Sequence, residues 1–135
     1  MPAAKLKPTG PLIAAHPELL ELAQRVAQQA QPGEQVEAYV VRSRETEVEV
    51  FGGEVESLTT AVIEGIGVRV IADHRQGYAW AGSLDAGVVD ETLRDARDNA
   101  SFGEPDEWYA LAGPTDVNGV RAVTLDLWRD ELAQV

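Results

Sequence analysis

One stretch decides the fold. Gln35 to Ser83 divides at its glycines into QVEAYVVRS (35–43), ETEVEVFGG (45–53), EVESLTTAVIEG (54–65), IGVRVIAD (66–73) and GYAWAGS (77–83). Its period is two. Val36, Ala38 and Val40 fall on one side of the chain, and Glu37, Tyr39 and Val41 on the other. Thr46, Val48 and Val50 then alternate with Glu45, Glu47 and Glu49, the pattern of a strand with one wet face. A parallel strand covered on both faces carries a continuous apolar run instead. Gly52-Gly53 supplies a two-residue hairpin turn, because both positions tolerate positive φ. Val55 to Ile63 reads as the next strand. Gly65 and Gly67 around Ile66 predict a turn or bulge. Val68 and Val70 share a face with Arg69 opposite, Asp73 to Gly77 forms a polar loop, and Tyr78 to Ala81 is a last short strand with Trp80 in the core. Arg42 and Arg44 are placed to pair with the nearby acids across strands. The expectation is a mostly antiparallel meander of four to five strands.

On either side of this meander the period changes to that of a helix. In HPELLELAQRVAQQAQPGE (16–34), Pro17 suits a first helical turn, where its missing N–H costs nothing. Glu18 and Glu21 suit the positive end of the helix dipole. Leu19, Ala23, Val26 and Ala30 form one apolar stripe, widened by Leu20 and Ala27, and Pro32-Gly33 stops the helix. After the meander, Ser83 or Asp85 caps a second helix whose stripe is Val89, Leu93, Ala96 and Ala100. Phe102-Gly103 ends it. EPDEWYALAGPTDVNG (104–119) is turn-rich, and VTLDLWRDELAQV (123–135) reads as a third helix capped by Thr124 or Asp126. The class is therefore α+β, with two helices packed on one face of the sheet and the glutamate-bearing face turned outward. The boundaries expected are a flexible arm over 1–15, the α+β domain over 16–102, and a connecting segment with the start of a further helix over 103–135.

A length of 135 residues bounds the chain to one domain, or one domain and the start of another. Its hydrophobic fraction of 44% and charged fraction of 25% place it with soluble globular proteins. No apolar run approaches the roughly 20 residues that cross a bilayer. Residues 1–15 contain Lys5 and Lys7, but their apolar part is short and broken by prolines, so they read as an arm rather than a signal peptide. The absence of cysteine excludes disulfides, thiolate metal sites and cysteine nucleophiles, and fits a reducing, cytoplasmic location. A net charge of −12 argues against nucleic acid and anionic lipid as partners. It is compatible with a basic peptide or protein, and with plain solubility.

No constellation of residues carries chemistry by itself. His16 and His74 both stand in loop-like settings without H-x-x-x-H or H-E-x-x-H spacing, and His74 reads as an exposed turn residue. Glu45, Glu47, Glu49, Glu54 and Glu56 are carboxylates in a row, but general acid catalysis needs one carboxyl raised by burial, and a wet strand face does not bury it. Gly65-x-Gly67 lacks the third glycine and the following helix of a phosphate loop. Ser83 follows Gly82 without a G-x-S-x-G frame and reads as a helix cap. Trp108 and Trp128 fit two readings equally, burial in this fold or contact with a partner. An apolar surface rimmed by acids suits a cationic peptide, so Glu45, Glu47, Glu49, Trp108 and Trp128 are the candidate peptide or partner surface, with no catalytic, cofactor or metal residue assigned.

The segments VEAYVVRSRETEVEVFGGEVESL (36–58) and EGIGVRVIADHRQGYAW (64–80) resemble the N-terminal domain of the TldD/PmbA metallopeptidase family, formerly described as modulators of DNA gyrase. EVESL at 54–58, GIGVRV at 65–70 and GYA at 77–79 carry the likeness, in matching order and separation, over roughly residues 18 to 102. The resemblance implies a two-domain hydrolase that associates in pairs around a cavity where extended or unfolded peptides are cut. It places zinc, held by a histidine–glutamate–histidine helix motif and a cysteine, in a C-terminal domain. None of those ligands matches a residue of this sequence, so the expected role is a non-catalytic scaffold and cavity wall, paired with a TldD/PmbA-type subunit. The sheet edge is then a place for an extended peptide to add as a strand. The rival expectation is a stand-alone acidic module for a basic partner, and a third is a small enzyme using strand carboxylates.

Overall fold

The computed structural model describes residues 16–113 and Asp116. Helix α1 (Pro17–Ala27) leads into strand β1 (Glu34–Phe51), β2 (Glu54–Ala72) and β3 (Arg75–Ala81), and helix α2 (Ala86–Phe102) follows. The three strands form one antiparallel sheet in the order β1-β2-β3. The expected 1–15 arm and third helix lie outside the described residues.

The sheet has three strands, not the four to five expected. The segments cut at Ser43 and at Gly65 are continuous, and β1 and β2 pair from Glu34↔Ala72 to Phe51↔Glu54. Gly65 and Gly67 make no turn. The register shifts only between Glu49 and Val50, where Glu56 is the extra residue on β2. The two glycines answer to crowding instead: a Cβ at Gly65 would lie 2.8 Å from the Ala81 carbonyl oxygen, and one at Gly67 2.6 Å from the Tyr78 hydroxyl. Gly52 and Gly53 do turn the hairpin, with φ of 61° and 87°. The expected polar loop over Asp73 to Gly77 shrinks to Asp73-His74, both in the left-handed region. Strand pairing resumes at Arg75, whose guanidinium donates to the Gly103 carbonyl and ties β3 to the end of α2.

The core occupies one face of the lower sheet. Val36, Val68, Val70 and Ile66 are buried there with Ala38, Val40, Ala79 and Ala81 packed around them. Above them lie Val26 and Leu22 of α1 and Val89, Leu93, Ala96 and Ala100 of α2, so the predicted α2 stripe is the buried one. The α1 stripe is corrected at its end: the helix stops at Ala27, so Ala30 is exposed and outside it. Gly77 lets α2 approach closely, since a Cβ there would overlap the Ala96 carbonyl oxygen and the Ala100 amide nitrogen. Of the two expected caps, Asp85 takes the N-cap position but makes no side-chain cap bond, while the Ser83 hydroxyl accepts from the Asp85 N–H at 3.1 Å.

Candidate functional site

Strand alternation divides the sheet into a covered face and an open one. The open face carries Glu37, Tyr39, Val41, Ser43, Glu45, Glu47 and Glu49 of β1. Arg69, Gly67, Gly65, Ile63, Ala61, Thr59 and Ser57 of β2 lie opposite them in that order. On β3, Tyr78 stands opposite Arg69 and Trp80 opposite Gly67. Toward the helix-covered end this face is apolar and aromatic; toward the hairpin tip it is acidic.

The aromatic end is a shallow depression of about 280 Å³ lined by Tyr39, Val41, Ile63, Gly67, Tyr78 and Trp80, among others. Tyr39 and Trp80 stand about two strand spacings apart, near 10 Å. The Tyr78 ring lies over Gly67 between them. Trp80 is 73% exposed and Tyr39 69%. The core assignment for Trp80 is therefore wrong. The small residues Gly77, Ala79 and Ala81 take the covered side against α2, so Tyr78 and Trp80 fall on the other. That parity was present in the sequence, since small residues alternating with large ones mark the side a helix must approach.

Below the depression, the Arg69 Nε donates to Glu37 at 2.7 Å and closes one end. Above it, Glu45, Glu47 and Glu49 project as expected on the outward face, opposite Ala61, Thr59 and Ser57. No ion pair among the described residues engages any of the three. Arg42 and Arg44 sit on the other face. Arg42 pairs with Glu64 directly across the ladder and with Glu18 of α1, both at 3.2 Å, not with the acidic row.

The candidate surface residues do not come together. Trp108 is 84% exposed beyond α2. There the chain is held by the Asp106 N–H to His74 and the Leu111 N–H to the Gln35 side chain, at the opposite end of β1 from Glu45–Glu49. Trp128 lies outside the described residues.

The zinc implied by the resemblance finds no fitting donor set here. No three His, Cys, Asp or Glu side chains converge among the described residues. His16 sits 3.3 Å from Glu18, and His74 is exposed at its turn. Glu18 has a lowered pKa, chiefly through a backbone hydrogen bond to its carboxylate. At Glu34, partial burial pushes upward, but the Arg97 hydrogen bonds, the Gln31 N–H and the Arg97 charge outweigh it and hold the carboxyl below its ordinary value. That pair is structural, joining the start of β1 to α2 with Nε···Oε1 at 3.0 Å. No helix among the described residues is long and apolar enough to cross a membrane.

A three-stranded antiparallel sheet roofed by two helices defines an α+β domain, and its relatives agree with that outline. Residues 36–100 match the family model described as PmbA/TldA metallopeptidase domain 1. Residues 36–100 thus carry a first domain of the PmbA/TldD metallopeptidase type, as the motifs at 54–58, 65–70 and 77–79 implied. The chain is 31% identical over 83 residues to Uncharacterized protein MJ0231 of Methanocaldococcus jannaschii, covering 60% of this chain and 20% of that protein. Its fold matches the crystal structure of TldE from Thermococcus kodakarensis with a TM-score of 0.56 and 29% identity, covering 69% of this chain and 21% of that one. The chain thus spans about a fifth of the length of these relatives.

Proposed function

We propose that the chain serves as the non-catalytic first domain of a PmbA/TldD-type zinc metallopeptidase, a scaffold and wall for a cavity that receives unfolded or extended peptides. The observation that carries this reading is the domain-1 match over residues 36–100. Hydrolysis is then supplied by a catalytic portion outside these 135 residues, and the domain works in association with a TldD/PmbA-type subunit. The test is peptide hydrolysis by the purified chain with and without added zinc. No turnover is expected, and turnover by this chain alone overturns the reading. An H-E-x-x-x-H segment encoded beyond Val135, or in a partner that co-purifies, would identify the catalytic portion.

A second reading, an acidic module for a basic partner, is supported by the glutamate row on the open face, which no ion pair among the described residues engages.

A further inference from the structure

The open face is unusual in combining two chemistries along one line. From Tyr39 to Glu49 every second residue of β1 points to the same side, about 7 Å apart. The first of these, with Trp80 and Tyr78 beside it, offers a broad apolar surface that water now covers. The last three are carboxylates opposite small or neutral residues, and the only cation on this face among the described residues, Arg69, is already engaged by Glu37. Solvation alone explains the glutamates but not the exposed aromatics beside them.

We propose that this face binds an extended cationic polypeptide segment of another protein, its apolar side chains over Tyr39, Tyr78 and Trp80 and its Lys or Arg side chains against Glu45, Glu47 and Glu49. The two-residue repeat of an extended ligand matches the spacing of the glutamates, so successive alternate cations meet successive carboxylates. Charge selects the occupant. A second copy would bring an equal acidic row against this one, and the chain as a whole carries −12. The aromatic faces serve either an aliphatic side chain or the stem and charge of an arginine. This deepens the second reading above and needs no metal centre.

The test titrates the 135-residue chain with a fluorescent, tryptophan-free synthetic peptide of about 12 residues, long enough to span Tyr39 to Glu49. One half alternates Leu or Tyr with Ser, the other Lys with Ser, and the control carries Glu for Lys. The lysine peptide binds and the glutamate peptide does not. Binding weakens as salt rises from about 0.05 M to about 0.5 M, because exposed charges are screened. The triple substitution Glu45→Gln, Glu47→Gln, Glu49→Gln weakens it about tenfold, the sum of three exposed charge pairs. Trp80→Ala weakens it about tenfold or more, as for a central aromatic contact. All four residues are exposed, and an unchanged thermal melt certifies each variant's fold.

Absence of binding by the lysine peptide overturns both the proposal and the acidic-module reading. Lysine-peptide binding that survives both sets of substitutions places a basic ligand elsewhere, and so overturns this site while leaving that reading standing. Two other occupants also overturn it: self-association that Trp80→Ala abolishes in sedimentation, or a tenfold gain in peptide affinity on deleting residues 1–15.

Discussion

The lower and upper halves of the β1–β2 ladder share one backbone pattern and differ in what covers them. Below Arg42, one side is sealed by α1 and α2, and Val68, Val70 and Leu93 are buried. Above it, no described element covers either side: Val48, Leu58 and Val62 are exposed on one face and the glutamates on the other. The alternation of residues is as regular in the upper half as in the lower. Regular alternation therefore reports a strand, but only a roof of helices makes its apolar side a core. A bare two-stranded ribbon is marginal in water, and the upper half is held by its continuity with the lower.

The sharpest way to break this contrast is at the helix–sheet contact. Gly77→Val drives a side chain into the backbone of α2, so its cost sits at or above the about 1–3 kcal/mol usual for overpacking. The expected result is loss of the cooperative melt, whereas Gly82→Val, where a Cβ meets nothing within 4 Å, keeps it. A melt of ordinary midpoint in Gly77→Val would show that α2 does not press on β3. Next comes Leu93→Ala, which removes a side chain only 2% exposed and costs about 2–5 kcal/mol by denaturant titration. Leu58→Ala on the uncovered half stays within about 0.5 kcal/mol.

An intermediate effect is expected at the Glu34–Arg97 pair. The folded pKa of Glu34 is depressed below its ordinary 4.5, so its contribution is complete above that value and fades as pH falls through the folded pKa. Arg97→Met should lower stability at neutral pH by about 1–3 kcal/mol, since it strands a partly buried carboxylate. It should also flatten the acid limb of stability below pH 4.5; an unchanged limb would assign acid sensitivity to other groups. The smallest effect is dynamic. Amides between Glu45 and Ala61 should exchange through local opening, well before those of Val36 to Val40 and Ile66 to Val70. Equal protection in both halves would mean that something covers the upper ribbon.

Much of this was legible in residue order. The period of two over 35–51, the Gly52-Gly53 turn and the α2 stripe all follow from local rules, because alternation, positive φ and helical spacing are set within a few residues. Glycine misled at 65 and 67, since it marks either a turn or a close neighbour, and the neighbours, Ala81 and Tyr78, are more than ten residues away. Asp73-His74 misled in the other direction, for two non-glycine residues occupy left-handed backbone and release Arg75 and Gln76 to the strand. Trp80 is exposed rather than buried, because it shares its parity with Tyr78, and Gly77 and Ala79 face α2.

The sequence alone determined that this chain forms an antiparallel α+β domain of the PmbA/TldD kind, with an acidic outward row, because those properties reside in local periodicity and short motifs. Only the tertiary structure decided how far each strand runs, which half of the ribbon gains a roof, and that Tyr39, Tyr78 and Trp80 share an open face. Those outcomes depend on contacts between residues distant in sequence, where the close approach of α2 to Gly77 selects the side that is buried.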